Sequence, residues 1–334
     1  MEKYIYFNDI FQDYTKYSLK IPKNIYLTSG LYPIIDQGKE EIAGFSNQST
    51  DIFNDVPVII FGDHTRIFKY IDYPFFLGAD GVKILKNISN LFLDKFLYYS
   101  LKNFKIPNTG YNRHFKWLKN FKIKYISLIE QKKIVNIIEK IEAFILQKKD
   151  QLNYLKKLNK SLFTRMFGDI KTNDKNWEIY YWKDVLNIKN GKNQKQVEDI
   201  EGKYPIYGSG GIIGYSNAYI CNENTIIIGR KGNINKPILV KEKFWNVDTA
   251  FGLEVKKDKI SYYYLYYFCL FYDFEIHNKA VTIPSLVKSD LEKILLPIPP
   301  IDLQNKFAER IEKIEKLKFI ISAIILKPYE LSKN

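Results

Sequence analysis

The chain has 334 residues, enough for two domains of ordinary size, and 46% of them are hydrophobic, so each domain can bury a core. Two distant cysteines, Cys221 and Cys269, have no His or Cys neighbour at ligand spacing, which excludes a zinc ribbon or a disulfide framework. The most apolar run, residues 262–274, falls short of the roughly 20 residues of a membrane span, so a soluble, cytoplasmic protein is expected, with no membrane partner. A formal charge of +14 favours a polyanion, nucleic acid first. Lysine-rich usage in a genome rich in A and T is the plainer account of the same surplus.

In chain order, Lys16, Ser18 and Lys20 stand on a polar segment ahead of Tyr32-Pro33-Ile34. Val56 to Phe61 is a β-prone run that predicts a strand, and it feeds Asp63-His64-Thr65-Arg66. These four side chains suit either an acid-base site or a loop that touches a ligand. Ala79-Asp80-Gly81 follows, then the aromatic segment Phe92 to Phe104. That segment lacks turn residues and exceeds usual strand length, so it predicts a buried helix. Asn112-Arg113-His114 closes the first stretch. From there apolar residues step by four and three: Ile134, Ile138, Ile141, Ile145, Leu152, Leu155, Leu162 and Met166, with Lys148 and Asn159 at the remaining seam sites. About four and a half heptads predict a helix of roughly 50 Å.

The chain then begins again. Lys192, Asn193, Gln194 and Lys195 precede Tyr204-Pro205-Ile206, and Gly214-Tyr215-Ser216-Asn217 repeats Gly44-Phe45-Ser46-Asn47. Thr225 to Ile228 repeats the strand, followed by Gly229-Arg230-Lys231-Gly232-Asn233 in place of the acidic turn. Ala250-Phe251-Gly252 answers Ala79-Asp80-Gly81, and the aromatic segment returns as Tyr262 to Phe274. His277-Asn278-Lys279, Thr282 and Ser285 come shortly before the second long helix. Gln304 answers Gln131, and Phe307, Ile311, Ile314, Lys318, Ile321 and Ile325 repeat the heptads. A repeat this long is a duplicated domain, since solenoid periods run to about 20–50 residues. Pro328 takes the position of Leu155, which predicts that the second helix ends or kinks near Lys327. Each helix has one apolar stripe, so the two are expected to pack together and relate the copies by an approximate twofold axis. The alternative is that each lies on its own domain.

The duplication bears on the chemistry. Asp63 and His64 have no counterpart in the second turn, so an acid-base pair would exist in one copy only. Two domains that read different bases on one scaffold would differ in this way. Arg66 and Arg230 suit bidentate contacts to guanine or phosphate, and Asn233 suits adenine. Capping of the turn is the other use open to Asp63 and His64. Residues 207–214 are glycine-rich but lack the Lys-Ser/Thr ending of a phosphate loop and read as a turn. Asp199 and Glu201 are too few for a two-metal nuclease site.

The ordered motifs resemble the specificity (S) subunits of type I restriction-modification systems, and the similar S subunits of bipartite-site type II systems. The resemblance rests on Tyr32-Pro33 with Asp36-Gln37-Gly38, Phe61-Gly62-Asp63-His64-Thr65-Arg66, Gly78-Ala79-Asp80-Gly81, Leu162-Phe163-Thr164-Arg165-Met166-Phe167-Gly168-Asp169, and Leu296-Pro297-Ile298-Pro299-Pro300-Ile301-Asp302-Leu303-Gln304. It covers nearly the whole chain. It implies an α+β fold of two tandem pseudo-symmetric α/β target-recognition domains joined by long antiparallel coiled-coil helices. The domains would be residues 1–126 and 171–299, with a central helix at 127–170 and a distal helix at 300–334. The distal helix is short against the family pattern, and the first copy has Tyr125-Ile126-Ser127-Leu128 where the second has the double proline.

The resemblance also implies a non-catalytic subunit in which each domain reads half of a split site in double-stranded DNA. Methyltransferase (M) subunits would dock on the helices, and restriction (R) subunits or a second S chain are further partners it admits. S-adenosylmethionine, ATP and magnesium would be held by partner subunits, with no cofactor or metal on this chain. The expected DNA contacts are Lys16, Ser18, Lys20, His64, Thr65, Arg66, Asn112, Arg113 and His114 in the first copy. In the second they are Lys192, Asn193, Gln194, Lys195, Arg230, Lys231, Asn233, Asn278, Lys279, Thr282 and Ser285. The expected helix interface is Ile134, Ile138, Ile141, Ile145, Leu152, Leu155 and Leu162 against Phe307, Ile311, Ile314, Ile321 and Ile325. The alternative is an autonomous nuclease or methyltransferase.

Overall fold

The computed structural model describes residues 3–78, 81–256, 259–280 and 282–331, with burial given for side chains up to residue 326. Ala79 and Asp80 of the repeated motif, and the side chains of Pro328 to Leu331, lie outside the described residues. Contacts divide the chain into two compact units, residues 1–145 and 146–334, which part within the long central helix.

The apolar runs become central strands because both of their faces are covered. Val58–Gly62 is buried at all five positions, as is Thr225–Gly229. In the first unit Val58–Gly62 lies antiparallel between Val82–Asn87 and Phe68–Ile71, with Phe11–Asp13 completing the sheet beyond Val82–Asn87. In the second, Thr225–Gly229 lies between Ala250–Val255 and Ile238–Val240, with Leu186–Asn190 in the outer place. A smaller sheet recurs in the same way. Tyr32–Ile35 pairs antiparallel with Gly44–Ser46 and parallel with Phe76–Leu77; Tyr204–Gly208 pairs with Gly211–Ser216 and Trp245–Asn246. The glycine-rich stretch at 207–214 is thus a hairpin. Strand for strand, the repeat read from the motifs is a repeat of topology.

Both aromatic segments fold as helices, Asp94–Lys102 and Tyr262–Phe271. The second buries six of its ten residues. Its Tyr264 hydroxyl donates to the Pro297 carbonyl at 2.5 Å, so the phenol is satisfied inside the core, and burial pushes its pKa up.

The central helix is Leu128–Phe167, 40 residues or about 60 Å. Ser127 and Glu130 start it with a capping box: the Ser127 N–H donates to Glu130 Oε2 at 3.0 Å, and the Glu130 N–H to Ser127 Oγ at 3.2 Å. Gly168 ends it in the left-handed region, φ 84°, where a side chain would strike Asp174 and Lys175. The second long helix is Ile301–Leu331, with Pro299 and Pro300 ahead of its first turn. It does not end at Lys327. Pro328 removes one N–H, but the backbone keeps the helical path for the three residues left to it.

A fully buried glutamine anchors each helix to its own unit. Gln131 Nε2 donates to the carbonyls of Leu91 and Ile126, and its Oε1 accepts from the Leu93 N–H. Gln304 Nε2 donates to Lys259 and Pro299, and its Oε1 accepts from the Ser261 N–H. Leu93 and Ser261 are the residues that precede the aromatic helices. One amide therefore satisfies three backbone groups and fixes the angle between the two helices.

Candidate nucleic-acid interface

In the first unit the turn after Val58–Gly62 is held from three sides. Arg66 adopts φ 61°, and its N–H closes the turn on the Gly62 carbonyl at 2.7 Å. The Asp36-Gln37-Gly38 loop supports it: Gln37 accepts from Thr65 Oγ1 at 2.7 Å through its carbonyl and from the His64 N–H at 3.2 Å through its side chain. Asp63 is 4% exposed and ties the turn to the segment before the long helix. Its carboxylate accepts from the Phe115 N–H at 2.6 Å, and its carbonyl from the His114 N–H and from His114 Nδ1, both at 2.9 Å. Asp63 is therefore a structural cap and not a general base.

His114 is a correction. It was expected on DNA but is fully buried, with Nδ1 donating to Asp63 and Nε2 facing Thr109 Oγ1 at 3.2 Å. Both ring nitrogens are engaged inside the fold. His64 does not cap the turn with its side chain. Its ring stacks on Tyr111, centroids 4.6 Å apart and planes 10° apart, and its Nδ1 is buried with no partner among the described residues. Tyr111 is 86% exposed and was not singled out; an aromatic between Gly110 and Asn112 in a polar loop was the available signal. Asn112 and Arg113 flank it, exposed, with the Asn112 amide donating to the Thr109 carbonyl. Lys20 bridges to Leu77, beside Gly78 and Ile35, which brings its segment to the same loop end. Lys16 and Ser18 precede it on that segment. Lys16 lies over the Tyr17 ring at 4.7 Å, and Ser18 Oγ donates to the Leu19 carbonyl at 3.4 Å.

The second unit gathers the matching segments with different side chains. The N–H groups of Arg230 and Lys231 both donate to the Thr249 carbonyl, at 2.8 and 3.2 Å. The Arg230 carbonyl accepts from Leu286, Gly232 donates to Pro284, and Lys231 bridges to Ser285. The turn and the segment before the helix are thus zipped together by backbone alone. Arg230 is exposed, its guanidinium 5.9 Å from the Phe251 ring and 3.5 Å from the Asp248 carbonyl. Lys231, Asn233 and Thr282 are exposed beside it, and Ser285 is half-buried. Lys192 joins through its N–H to the Asn246 carbonyl at 3.0 Å and its carbonyl from Trp245 Nε1 at 2.9 Å. Gly191 permits this approach, because a side chain there would strike the Val247 carbonyl. Lys195 is exposed, Asn193 accepts from its N–H at 2.9 Å, and Gln194 is half-buried.

One further expectation is corrected here. Asn278 has both ends of its amide in use: Oδ1 accepts from Ala280 and Ser285, each at 3.0 Å, and Nδ2 donates to Glu275 at 3.1 Å. It shapes the loop. Lys279 is paired with Asp290 at 2.5 Å, and its hydrogen bond holds that carboxyl below the usual range.

The helix seam is covered unevenly. Phe307 and Ile311 are fully buried and Ile314 is 8% exposed, while Leu152, Leu155, Leu162, Ile321 and Ile325 are half-buried. Within residues 146–334 the helices run antiparallel, Phe167 and Phe163 meeting Phe307 at 5.0 and 5.6 Å and Asn159 meeting Glu315 at 2.9 Å. In the first unit Ile138 and Ile145 are half-buried, but Ile134 and Ile141 are 38% and 46% exposed, against expectation. A heptad marks which face is apolar and not what covers it.

Among the described residues no cluster of His, Cys, Asp and Glu is arranged to hold a metal ion, and no helix is long and apolar enough to cross a membrane. Residues 174–327 match the family model of the type I restriction modification DNA specificity domain. The specificity subunit of the Escherichia coli type I restriction enzyme EcoR124I/EcoR124II is 29% identical over 156 residues, 43% of this chain and 38% of that protein. The MjaIX specificity subunit of Methanocaldococcus jannaschii is 26% identical over 269 residues, 69% of this chain and 62% of its own length. The chain thus spans 38% to 62% of these two relatives. The S subunit of the type I system of M. genitalium has a similar fold, with a TM-score of 0.66, 18% identity, and coverage of 100% of this chain and 94% of that one.

Proposed function

We propose that this chain, whose residues 174–327 match the type I restriction modification DNA specificity domain and whose fold is similar to that of a type I S subunit, is the non-catalytic DNA-reading component of such a system. Each unit reads one half of a split site in double-stranded DNA, and the long helices dock methyltransferase subunits. Catalysis, with its S-adenosylmethionine, ATP and magnesium, belongs to the partners. The complex acts on cytoplasmic DNA.

One observation carries this reading. The same strand, turn and pre-helix segment are assembled twice by backbone and buried hydrogen bonds, and the side chains at the turn differ: half-buried His64 and Arg66 with exposed Thr65 in one, exposed Arg230, Lys231 and Asn233 in the other. A constant scaffold with variable donors and acceptors is what reading two unrelated half-sites requires. Arg66 and Arg230 are the guanidinium groups for guanine or phosphate, a bidentate base pair of contacts being worth about 1–3 kcal/mol. Exposed Lys16, Lys20, Lys192 and Lys195 position the phosphates, aided by the charge of +14. Mapping of methylated bases in cells with and without this gene, beside an expressed partner methyltransferase, tests the proposal. A bipartite motif that appears only with the gene is expected; an unchanged methylation pattern would contradict it.

A further inference from the structure

Each unit exposes one large apolar side chain beside its turn, at the same place in the repeat. The buried foot of the loop sets the count: His114 donates its N–H to the Asp63 carbonyl and Leu286 donates to the Arg230 carbonyl, both at 2.9 Å, and both residues are fully buried. Three residues before each foot stand Tyr111, 86% exposed, and Ile283, 59% exposed. Their neighbours Asn112, Arg113 and Thr282 are exposed polar groups of the kind a loop that meets DNA requires. A lone exposed hydrophobic residue needs no account, but the same placement in two copies whose loop side chains otherwise differ does.

In both units the exposed side chain is carried on backbone tied to the turn. Tyr111 follows Gly110, which adopts φ 76°, and its ring lies on that of His64 with centroids 4.6 Å and planes 10° apart. In this arrangement His64 Nδ1 is buried with no partner among the described residues. A buried ring nitrogen without a hydrogen bond is costly, so the stack is held at a loss that is recovered when the phenol ring moves off and the imidazole meets a ligand. Ile283 precedes Pro284, which confines it to extended backbone, and the Pro284 carbonyl accepts from the Gly232 N–H of the turn at 3.0 Å.

We infer that Tyr111 and Ile283 are wedges, each inserting between two adjacent base pairs of its unit's half-site and partly unstacking them. This rests on the DNA reading proposed above and adds to it a contact that carries sequence information without a hydrogen bond. Apolar wedges set beside polar groove contacts open a base step and kink the duplex. Flexible pyrimidine–purine steps yield at least cost, so each half-site contains such a step where its wedge enters. In the first unit insertion takes Tyr111 off His64 and frees Nδ1 to bond a base edge or a phosphate. In the second the wedge is aliphatic and enters beside Lys231, whose backbone bridges to Ser285 two residues beyond Ile283.

The test is 2-aminopurine emission from duplexes that carry the bipartite motif found by methylation mapping. The probe replaces one base at a time, the methylated adenines are left in place, and the duplex is saturated with the full chain and its methyltransferase partner. A several-fold rise in emission at one step of each half-site is expected. Tyr111→Ala should abolish the rise in the half read by the first unit and leave the other, Ile283→Ala should do the reverse, and Tyr111→Phe, which keeps the ring, should preserve both. A complex that binds the motif with no rise in either half, or with a rise that does not follow Tyr111→Ala and Ile283→Ala half by half, overturns the wedges and leaves DNA reading intact. A complex that prefers no motif overturns DNA reading, and the wedges with it.

Discussion

The two units answer the same structural problem with the same backbone and different surfaces. Where the chain must join helix to helix, they agree down to the atom: Gln131 and Gln304 each bond two carbonyls and one N–H. At the turn they diverge, the first tying Asp63 to Phe115 through a carboxylate and the second tying Arg230 to Leu286 through a carbonyl. Along the long helices they differ in exposure, Ile134 at 38% where Phe307 is fully buried. The buried joint carries the same residue in both units, while the turn and its surroundings do not.

The comparison can be broken most forcefully at the packed seam. Phe163→Ala should cost about 3–5 kcal/mol, a large buried ring in contact with five aromatic neighbours, whereas Ile134→Ala, half-solvated, should cost under about 1 kcal/mol. Urea denaturation measures both, and equal losses would contradict the difference in burial between the two positions. Gln131→Leu and Gln304→Leu should each cost about 3 kcal/mol, since each strands three buried backbone groups. A thermal melt in which one variant is neutral would break the equivalence of the joints.

Arg66→Ala and Arg230→Ala should each weaken one half-site by about 1–3 kcal/mol if they contact bases, measured by binding to duplexes with one half-site scrambled at a time. Equal loss on every duplex would mark phosphate contacts. The smallest effect concerns acid. Burial pushes the Glu315 carboxyl up, but hydrogen bonds from Lys318, Asn159 and Tyr267 and the Lys318 charge outweigh it, leaving the pKa below the ordinary 4.5. A depressed folded pKa adds stability above the unfolded value and loses it as pH falls through the folded one. Glu315→Gln should therefore flatten the decline in stability below pH 4.5, by a modest amount because the group is only half-buried.

Much of the fold was legible because its signals are local. Tyr-Pro strands, continuous apolar runs and heptads depend on neighbours within a few residues, and they recur in the same order twice. The duplication also argued against an acid-base site at Asp63 and His64 before any geometry was known. What was not legible depends on distant partners. His114 is buried by Asp63, 51 residues away, and no local pattern distinguishes it from exposed Arg113 beside it. Asn278 reads as a base-contacting amide until Ser285 folds back onto it. Ile134 and Ile141 fit the heptad as well as Phe307 does, yet periodicity says nothing about whether a second helix arrives. Tyr111 gained meaning only from its stack on His64.

The central claim, that each unit reads its own half-site, is tested most directly by mapping methylated motifs in cells carrying the partner methyltransferase with the Arg66→Ala or the Arg230→Ala chain. The expected result is a bipartite motif that relaxes in one half for the first variant and in the other half for the second. Loss of both halves together in either variant would contradict it.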